Sequence, residues 1–292
     1  MENNWSDIKY NMPFATSFAL QEYHSAEDGL MEAVKANYTH WYIDGSLEEN
    51  FTEAWDEKRI CTLQDKIQRH NVKPVYHGNY KVPLASDVPI LRQTAIEYTK
   101  KEIDLASYFN APVIIHGGAI VEPRLVNKAK QAALDNYLDS IQVLVDYAKA
   151  KNIEIYLENL SNYKNYRPFH YIFTDMDEFE FILNKVSDVK FFLDIGHANI
   201  CDGSPVDIIK KYHTRIAAMS FSNNDGKRDQ HLRLSNGTID YKQILSTILS
   251  TQWKGMIAFE TRGVSAVQSI YDLFDFYQET IQSDCFPTIL VN

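Results

Sequence analysis

The strongest constraint on this chain is an alternation. From about residue 12 onward, short apolar runs alternate with longer amphipathic segments. Eight such runs are found: Pro13–Leu20, Thr39–Asp44, Val72–His77, Pro112–His116, Ile153–Glu158, Lys190–Asp194, Ile216–Phe221 and Met256–Glu260. Segments with helical spacing lie between them, such as Ile90–Tyr108 and Leu125–Ala150. In the second, Ala133, Leu134, Tyr137, Leu138, Ile141, Leu144 and Val145 recur at threes and fours. Strand and helix alternating eight times, at roughly 35 to 40 residues per unit, predict a closed (β/α)8 TIM barrel. An open doubly wound sheet usually has fewer units and a Gly-rich phosphate turn after its first strand. Here the first run passes into Gln21 and Glu22 with no GxGxxG. No Pro/Gly/Ser linker or low-complexity stretch divides the chain. One domain over residues 1–292 is expected, with a loose end after about Gln282.

Composition narrows the classes of partner. The net charge is -10, so the summed field repels phosphates and argues against nonspecific nucleic-acid or anionic-membrane binding. Cys61, Cys201 and Cys285 are odd in number and form no CxxC. Neither a disulfide framework nor a cysteine zinc site is expected, and a reducing compartment is the simplest reading. The start, MENNWSDIKYNM, has no basic segment followed by an apolar one. No apolar stretch reaches membrane-spanning length. The expectation is a cytoplasmic protein with a small-molecule substrate and no membrane partner; a homo-oligomer stays open.

In a barrel of this kind the chemistry sits at the C-terminal ends of the strands. Ionisable residues gather there. The third run ends in His77 and the fourth, PVIIHGG, in His116. The fifth ends in Glu158 and Asn159, and the sixth, VKFFLDIGHAN, in Asp194 and His197. The eighth ends in Glu260 and Arg262, and the loop after the seventh, NNDGKRDQH, carries Asp229 and His231. Singly, each has a plain explanation. Asp194 could cap a helix, and Asp229 and His231 read best as a solvated loop. Together they are four carboxylates and four histidines with no lysine or arginine cluster to neutralise them. Buried charge so near a barrel axis needs a counter-charge. One or more divalent cations would supply it, and the N/O donor set suits zinc or manganese. There is no GxSxG elbow and no P-loop, and no cysteine stands at a strand end.

With these residues in view, the chain resembles the xylose isomerase-like TIM-barrel superfamily, which holds sugar epimerases and isomerases as well as endonuclease IV. LDIGHAN and HLRLSNGTIDY carry the resemblance most specifically, with Ser235 where the family usually has glycine. IIHGG, YLENL and AFET fit in order and spacing. The resemblance implies a divalent ion held by Glu, Asp, His and Glu from strands five to eight. Glu158, Asp194 and Glu260 match, whereas Ser220 stands at the strand-seven histidine position. It also implies a metal-dependent isomerase or epimerase of a small sugar or sugar derivative, working through a stabilised enediolate. Glu158 and Glu260 would then exchange the proton, Asp194 would be a ligand, and His197, His231 and Arg262 would bind substrate or, for the histidines, a second ion. Lys164, Arg167, Lys227 and Arg228 lie just beyond strand ends, where one could hold an anionic group of the substrate. The second implication is a multi-metal phosphoester hydrolase of the endonuclease IV kind, with His77, His116, Glu158, Asp194, His197, Asp229, His231 and Glu260 as ligands. The third is a specialised descendant with an altered metal site at Ser220.

Overall fold

The computed structural model describes residues 12–19, 25–120, 126–162, 170–201 and 203–283. Leu20, Lys164, Arg167, Cys285 and the end of the chain beyond residue 283 lie outside these. Each apolar run holds a strand: β1 Ala15–Phe18, β2 His40–Asp44, β3 Lys73–His77, β4 Val113–His116, β5 Ile155–Glu158, β6 Lys190–Asp194, β7 Ile216–Phe221 and β8 Met256–Phe259. They pair in parallel as one closed barrel in the order β1-β8-β7-β6-β5-β4-β3-β2. The ring closes through Ala15 beside Met256 and Phe18 beside Phe259.

The runs are mostly apolar because both faces of the strands are covered. Alternate residues divide into two separate cores. One set, including Trp41, Ile43, Val113, Leu157, Phe191 and Ile257, packs on helix residues such as Ala33, Ile103, Leu144, Ile182 and Ile248. The other set contains no helix residue: Tyr42, Val75, Ile114, Phe192, Ala218 and Ala258, with Tyr156 against them, fill the barrel interior. Burying each such aliphatic or aromatic side chain is worth about 1.5–3 kcal/mol. Phenylalanine and tyrosine on β2, β5 and β6 face alanine on β7 and β8, so the bulk is shared unevenly around the interior.

Helices run on the outer layer, including Ala26–Lys35, Glu57–His70, Pro89–Tyr108, Val126–Lys149, Met176–Lys185 and Tyr241–Ser250. Several start on a side-chain cap. Ser25, Asp56, Asp175 and Asp240 each accept a backbone N–H of the first turn. Turns leading back into the barrel are equally regular. Asn37, Asn71, Asn110, Asn152 and Gln252, which precede β2, β3, β4, β5 and β8, all have positive φ, between 52° and 58°. A single left-handed residue ends the helix and returns the chain to the strand, and asparagine tolerates that conformation best after glycine.

The two-residue strands Ala119–Ile120 and His170–Tyr171 form a small antiparallel pair outside the barrel. They follow from the close approach at Gly117, where a Cβ would lie 2.4 Å from the Ile172 carbonyl oxygen and 2.9 Å from the Phe173 Cβ. We therefore expect Gly117→Ala to cost about 1–3 kcal/mol, the usual penalty for overpacking a filled space. A thermal melt should show a fall of roughly 2–4 °C per kcal/mol. An unchanged melting temperature would contradict that packing.

Candidate active site at the barrel mouth

The inward alternation of each strand continues one step beyond the apolar interior. Tyr42 is followed two residues later by Asp44, Val75 by His77, Ile114 by His116, Tyr156 by Glu158, Phe192 by Asp194, Ala218 by Ser220 and Ala258 by Glu260. These residues lie at or within one residue of the ends of their strands on one rim, on neighbouring strands of the closed ring. Asp44 pairs in register with His77, His116 with Glu158, and Asp194 with Ser220. The sequence-identified acids and histidines therefore form part of a continuous belt, and all are buried or nearly so.

Glu158 is its hub. Its Oε2 lies 3.3 Å from His116 Nε2 and 3.7 Å from His77 Nε2. Its Oε1 lies 3.8 Å from His197 Nδ1. Among the described residues, two groups of acid and imidazole atoms converge within 4.8 Å: His77, His116 and Glu158, and Glu158, Asp194 and His197. Glu158 belongs to both. Glu260, Asp229 and His231 are in neither group, although Asp229 Oδ2 lies 3.3 Å from His197 Nε2 and 3.0 Å from His231 Nε2. The loop is solvated at Lys227 and Arg228, but its end turns in to the site, with His231 only 5% exposed and at φ 51°.

Both readings of Asp194 hold at once. Its Oδ1 caps the helix Ile195–Ile200 by accepting the His197 N–H, and its Oδ2 accepts the Ser220 hydroxyl at 2.6 Å. Ser220 thus spends its hydroxyl on the neighbouring carboxylate. Asn159 holds the Asp194 backbone from both sides, accepting its N–H at 2.7 Å and donating to its carbonyl at 3.1 Å. His197 Nδ1 donates to the Asn159 carbonyl at 2.9 Å and His231 Nδ1 to the Glu260 carbonyl at 2.8 Å. Each ring consequently turns its Nε2 edge toward Asp229.

The charges sort the groups. Burial would raise the Glu158 carboxyl, but His116, His77 and His197 outweigh it and hold it below its ordinary value. Burial, Glu158 and Asp194 push Glu260 well above the carboxylate range. Burial and Glu158 also raise Asp194. His197 is raised by Asp194, Asp229 and Glu158 against its burial, and His77 rises to about 9, chiefly through Asp44. His116 is lowered by burial. Two of the glutamates in one belt are thereby driven in opposite directions.

Sequence reasoning passed over two contributors. Asp44 ends β2 in the belt, and Tyr42 is fully buried two residues below it, its hydroxyl kept protonated by burial and by Glu260, Glu158 and Asp194. Comparing the last two inward positions of all eight strands would have found both. Among the basic residues beyond the strand ends, Arg228 is bound to Asp225 at 3.0 Å and lies in solvent. Lys227 and Arg262 are also exposed, the latter with its backbone N–H donating to the His231 carbonyl at 2.8 Å.

Behind β2 and β3 sits one more buried acid. Glu102 is 2% exposed and accepts the Asn79 N–H at 2.9 Å. Burial above all pushes its carboxyl up to about 8. Because the folded value lies above the ordinary 4.5, its effect is least costly below pH 4.5 and stability falls as pH rises from there to about 8. Glu102→Gln has no proton to lose and keeps the acceptor. The variant should gain melting temperature over the parent at pH 8 relative to pH 5; equal differences at both would contradict it.

Comparison with known proteins agrees with this architecture. The solved structure of a D-tagatose 3-epimerase-like protein superposes with a TM-score of 0.80 at 22% identity, covering 92% of this chain and 99% of its own. The uncharacterised protein MJ1311 of Methanocaldococcus jannaschii is 24% identical over 254 residues, 80% of this chain and 83% of the relative. A probable endonuclease 4 of Mycoplasma genitalium is 24% identical over 208 residues, 65% of this chain and 67% of the relative. The sequence model of one family, described as xylose isomerase-like TIM barrel, matches residues 30–280. The alternation, the closed parallel ring and this match together place the chain in the xylose isomerase-like TIM-barrel family.

Proposed function

We propose that the chain is a metal-dependent isomerase or epimerase acting on a small sugar or sugar derivative. The observation that carries this reading is the pair Glu158 and Glu260. Both are buried at the same mouth, each with a carboxylate oxygen that makes no hydrogen bond, and the site drives their proton affinities apart. Moving a proton off one carbon and onto the same or a neighbouring one requires a base and an acid at one site. Glu158, whose carboxyl the imidazoles hold down, suits the base, and Glu260, whose carboxyl burial and the neighbouring carboxylates push up, suits the acid.

A divalent cation fits the residues present. Glu158 Oε2, Asp229 Oδ1 and Glu260 Oε1 are buried without hydrogen bonds, an arrangement that is costly unless a cation or substrate satisfies them. His77, His116 and Glu158 would hold an ion on one side of the hub, and Asp194 with Glu158 on the other, where His197 would join them only by exchanging its Nδ1 contact with the Asn159 carbonyl for the ion. When bound, the ion supplies positive charge beside a substrate carbonyl and hydroxyl. Zinc and manganese both suit this donor set. His197, His231 and Asp229 would orient substrate hydroxyls, with Arg262 at the rim. We read the chain as one barrel domain, acting on a small molecule in the cytoplasm. No described helix is long and apolar enough to cross a membrane.

The second reading is a multi-metal phosphoester hydrolase, favoured by the sharing of Glu158 between two ligand groups. The discriminating experiment combines a metal count with turnover. The chain is loaded with zinc or manganese, and a panel of ketoses is followed for deuterium uptake from heavy water beside a phosphodiester substrate. Sugar C–H exchange supports the first reading. Phosphodiester cleavage without exchange, with two or more ions per chain, overturns it.

A further inference from the structure

We propose that Asp44 is a positioning residue that orients the His77 ring, so that its Nε2 edge is turned to the ion held with His116 and Glu158. The inference rests on the preceding reading only in requiring an ion at that group, whatever the substrate.

Asp44 ends β2 directly beside His77 on β3. Its Oδ1 is fixed from two sides, accepting the Ser46 N–H at 2.9 Å and the Ser46 hydroxyl at 2.7 Å. Lys81 Nζ in turn donates to the Ser46 carbonyl at 2.9 Å, which ties this corner to the loop that follows His77. The same Oδ1 faces His77 Nδ1 at 3.4 Å. That is long for an N–H···O bond, and a shift of about half an ångström brings it into the ordinary range. Nδ1 is buried and makes no other hydrogen bond. On its flat side the ring stacks on Tyr42, with centroids 5.5 Å apart and planes 19° from parallel. The opposite edge presents Nε2 to Glu158. A half-turn of the ring would set carbon against the Asp44 carboxylate, so the pairing selects the orientation that leaves Nε2 for the ion. Imidazoles that bind metals almost always donate their second N–H to an outer partner. His197 and His231 do so to backbone carbonyls. His77 differs in having a carboxylate rather than a carbonyl facing its Nδ1, which also strengthens Nε2 as a ligand to a cation.

The test titrates zinc alone into the ion-free full chain, against a competing chelator, for the parent, Asp44→Ala and Asp44→Asn. We expect zinc to bind Asp44→Ala about 10–100-fold more weakly at one ion, the range for losing an outer partner. Asp44→Asn, which keeps an acceptor without the charge, should fall in between. In the zinc-loaded parent, proton–nitrogen spectra should show the His77 ring proton on Nδ1, and in Asp44→Ala that signal should shift or exchange away. Unchanged zinc affinity in both variants, or a proton on Nε2 in the loaded parent, would overturn the proposal. Should Asp44→Ala fail to fold, the isosteric Asp44→Asn carries the same comparison. A parent that binds no zinc overturns this inference together with the metal reading. A parent that binds zinc while the variants do so equally well removes only the role of Asp44.

Discussion

Replacing Glu260 by glutamine is expected to slow exchange of a substrate C–H proton by about 10²–10⁴-fold, the usual share of a positioned acid or base. The substitution preserves shape and burial. What it removes is a carboxyl that burial, Glu158 and Asp194 push well above the ordinary range. A glutamine amide offers hydrogen bonds but cannot cycle a proton. The measurement is deuterium incorporation into the substrate by proton NMR, with the metal-loaded parent and variant compared at equal ion content. Exchange at the parental rate would mean that Glu260 carries no proton, and the acid–base assignment would be lost.

Glu158→Ala should have the widest effect, because it touches both ligand groups and three imidazoles together. Zinc affinity should fall by more than about 100-fold, beyond the upper end of what an outer partner contributes. The ion-free protein should also lose stability, by about 3–5 kcal/mol, since removing one partner leaves the other buried charges uncompensated. The loss has a direction in pH. His77 is held near 9 with Glu158 among its causes, so the stabilisation is complete below about 6.5 and vanishes as pH rises through about 9. Chemical denaturation of the ion-free chains at pH 6 and pH 9.5 should therefore show the larger gap at pH 6. A gap of equal size at both would mean that imidazole charge is not what Glu158 compensates.

The barrel was legible because its strands are covered on both faces. Lys190–Asp194 and Ile216–Phe221 have the bounds that the apolar runs imply, and Pro13–Leu20 contracts to Ala15–Phe18 with Leu20 outside the described residues. Helices predicted at Ile90–Tyr108 and Leu125–Ala150 lie at Pro89–Tyr108 and Val126–Lys149. The belt was legible where a histidine or carboxylate directly follows apolar residues, as at His116 and Glu158. Asp44 obeys the same rule and was still passed over, because an aspartate closing a strand looks like a turn residue until its inward register is known. Contacts that depend on distant loops left no local trace. Burial of His231 follows from how residues 223–232 fold back, with Asn223 and Leu232 exchanging backbone hydrogen bonds at 2.9 and 2.7 Å. The pair Ala119–Ile120 and His170–Tyr171 is too short for any periodicity to announce.

The five left-handed asparagine and glutamine turns lie at the rim where strands begin, and the acid–imidazole belt lies where they end. The filled interior lies between the two ends. A descendant can thus exchange the segments beyond His77 or Ser222, and with them what reaches the mouth, while inheriting the turns that return each helix to its strand. Changes of chemistry and changes of these turns would leave their marks at opposite poles of the same cylinder.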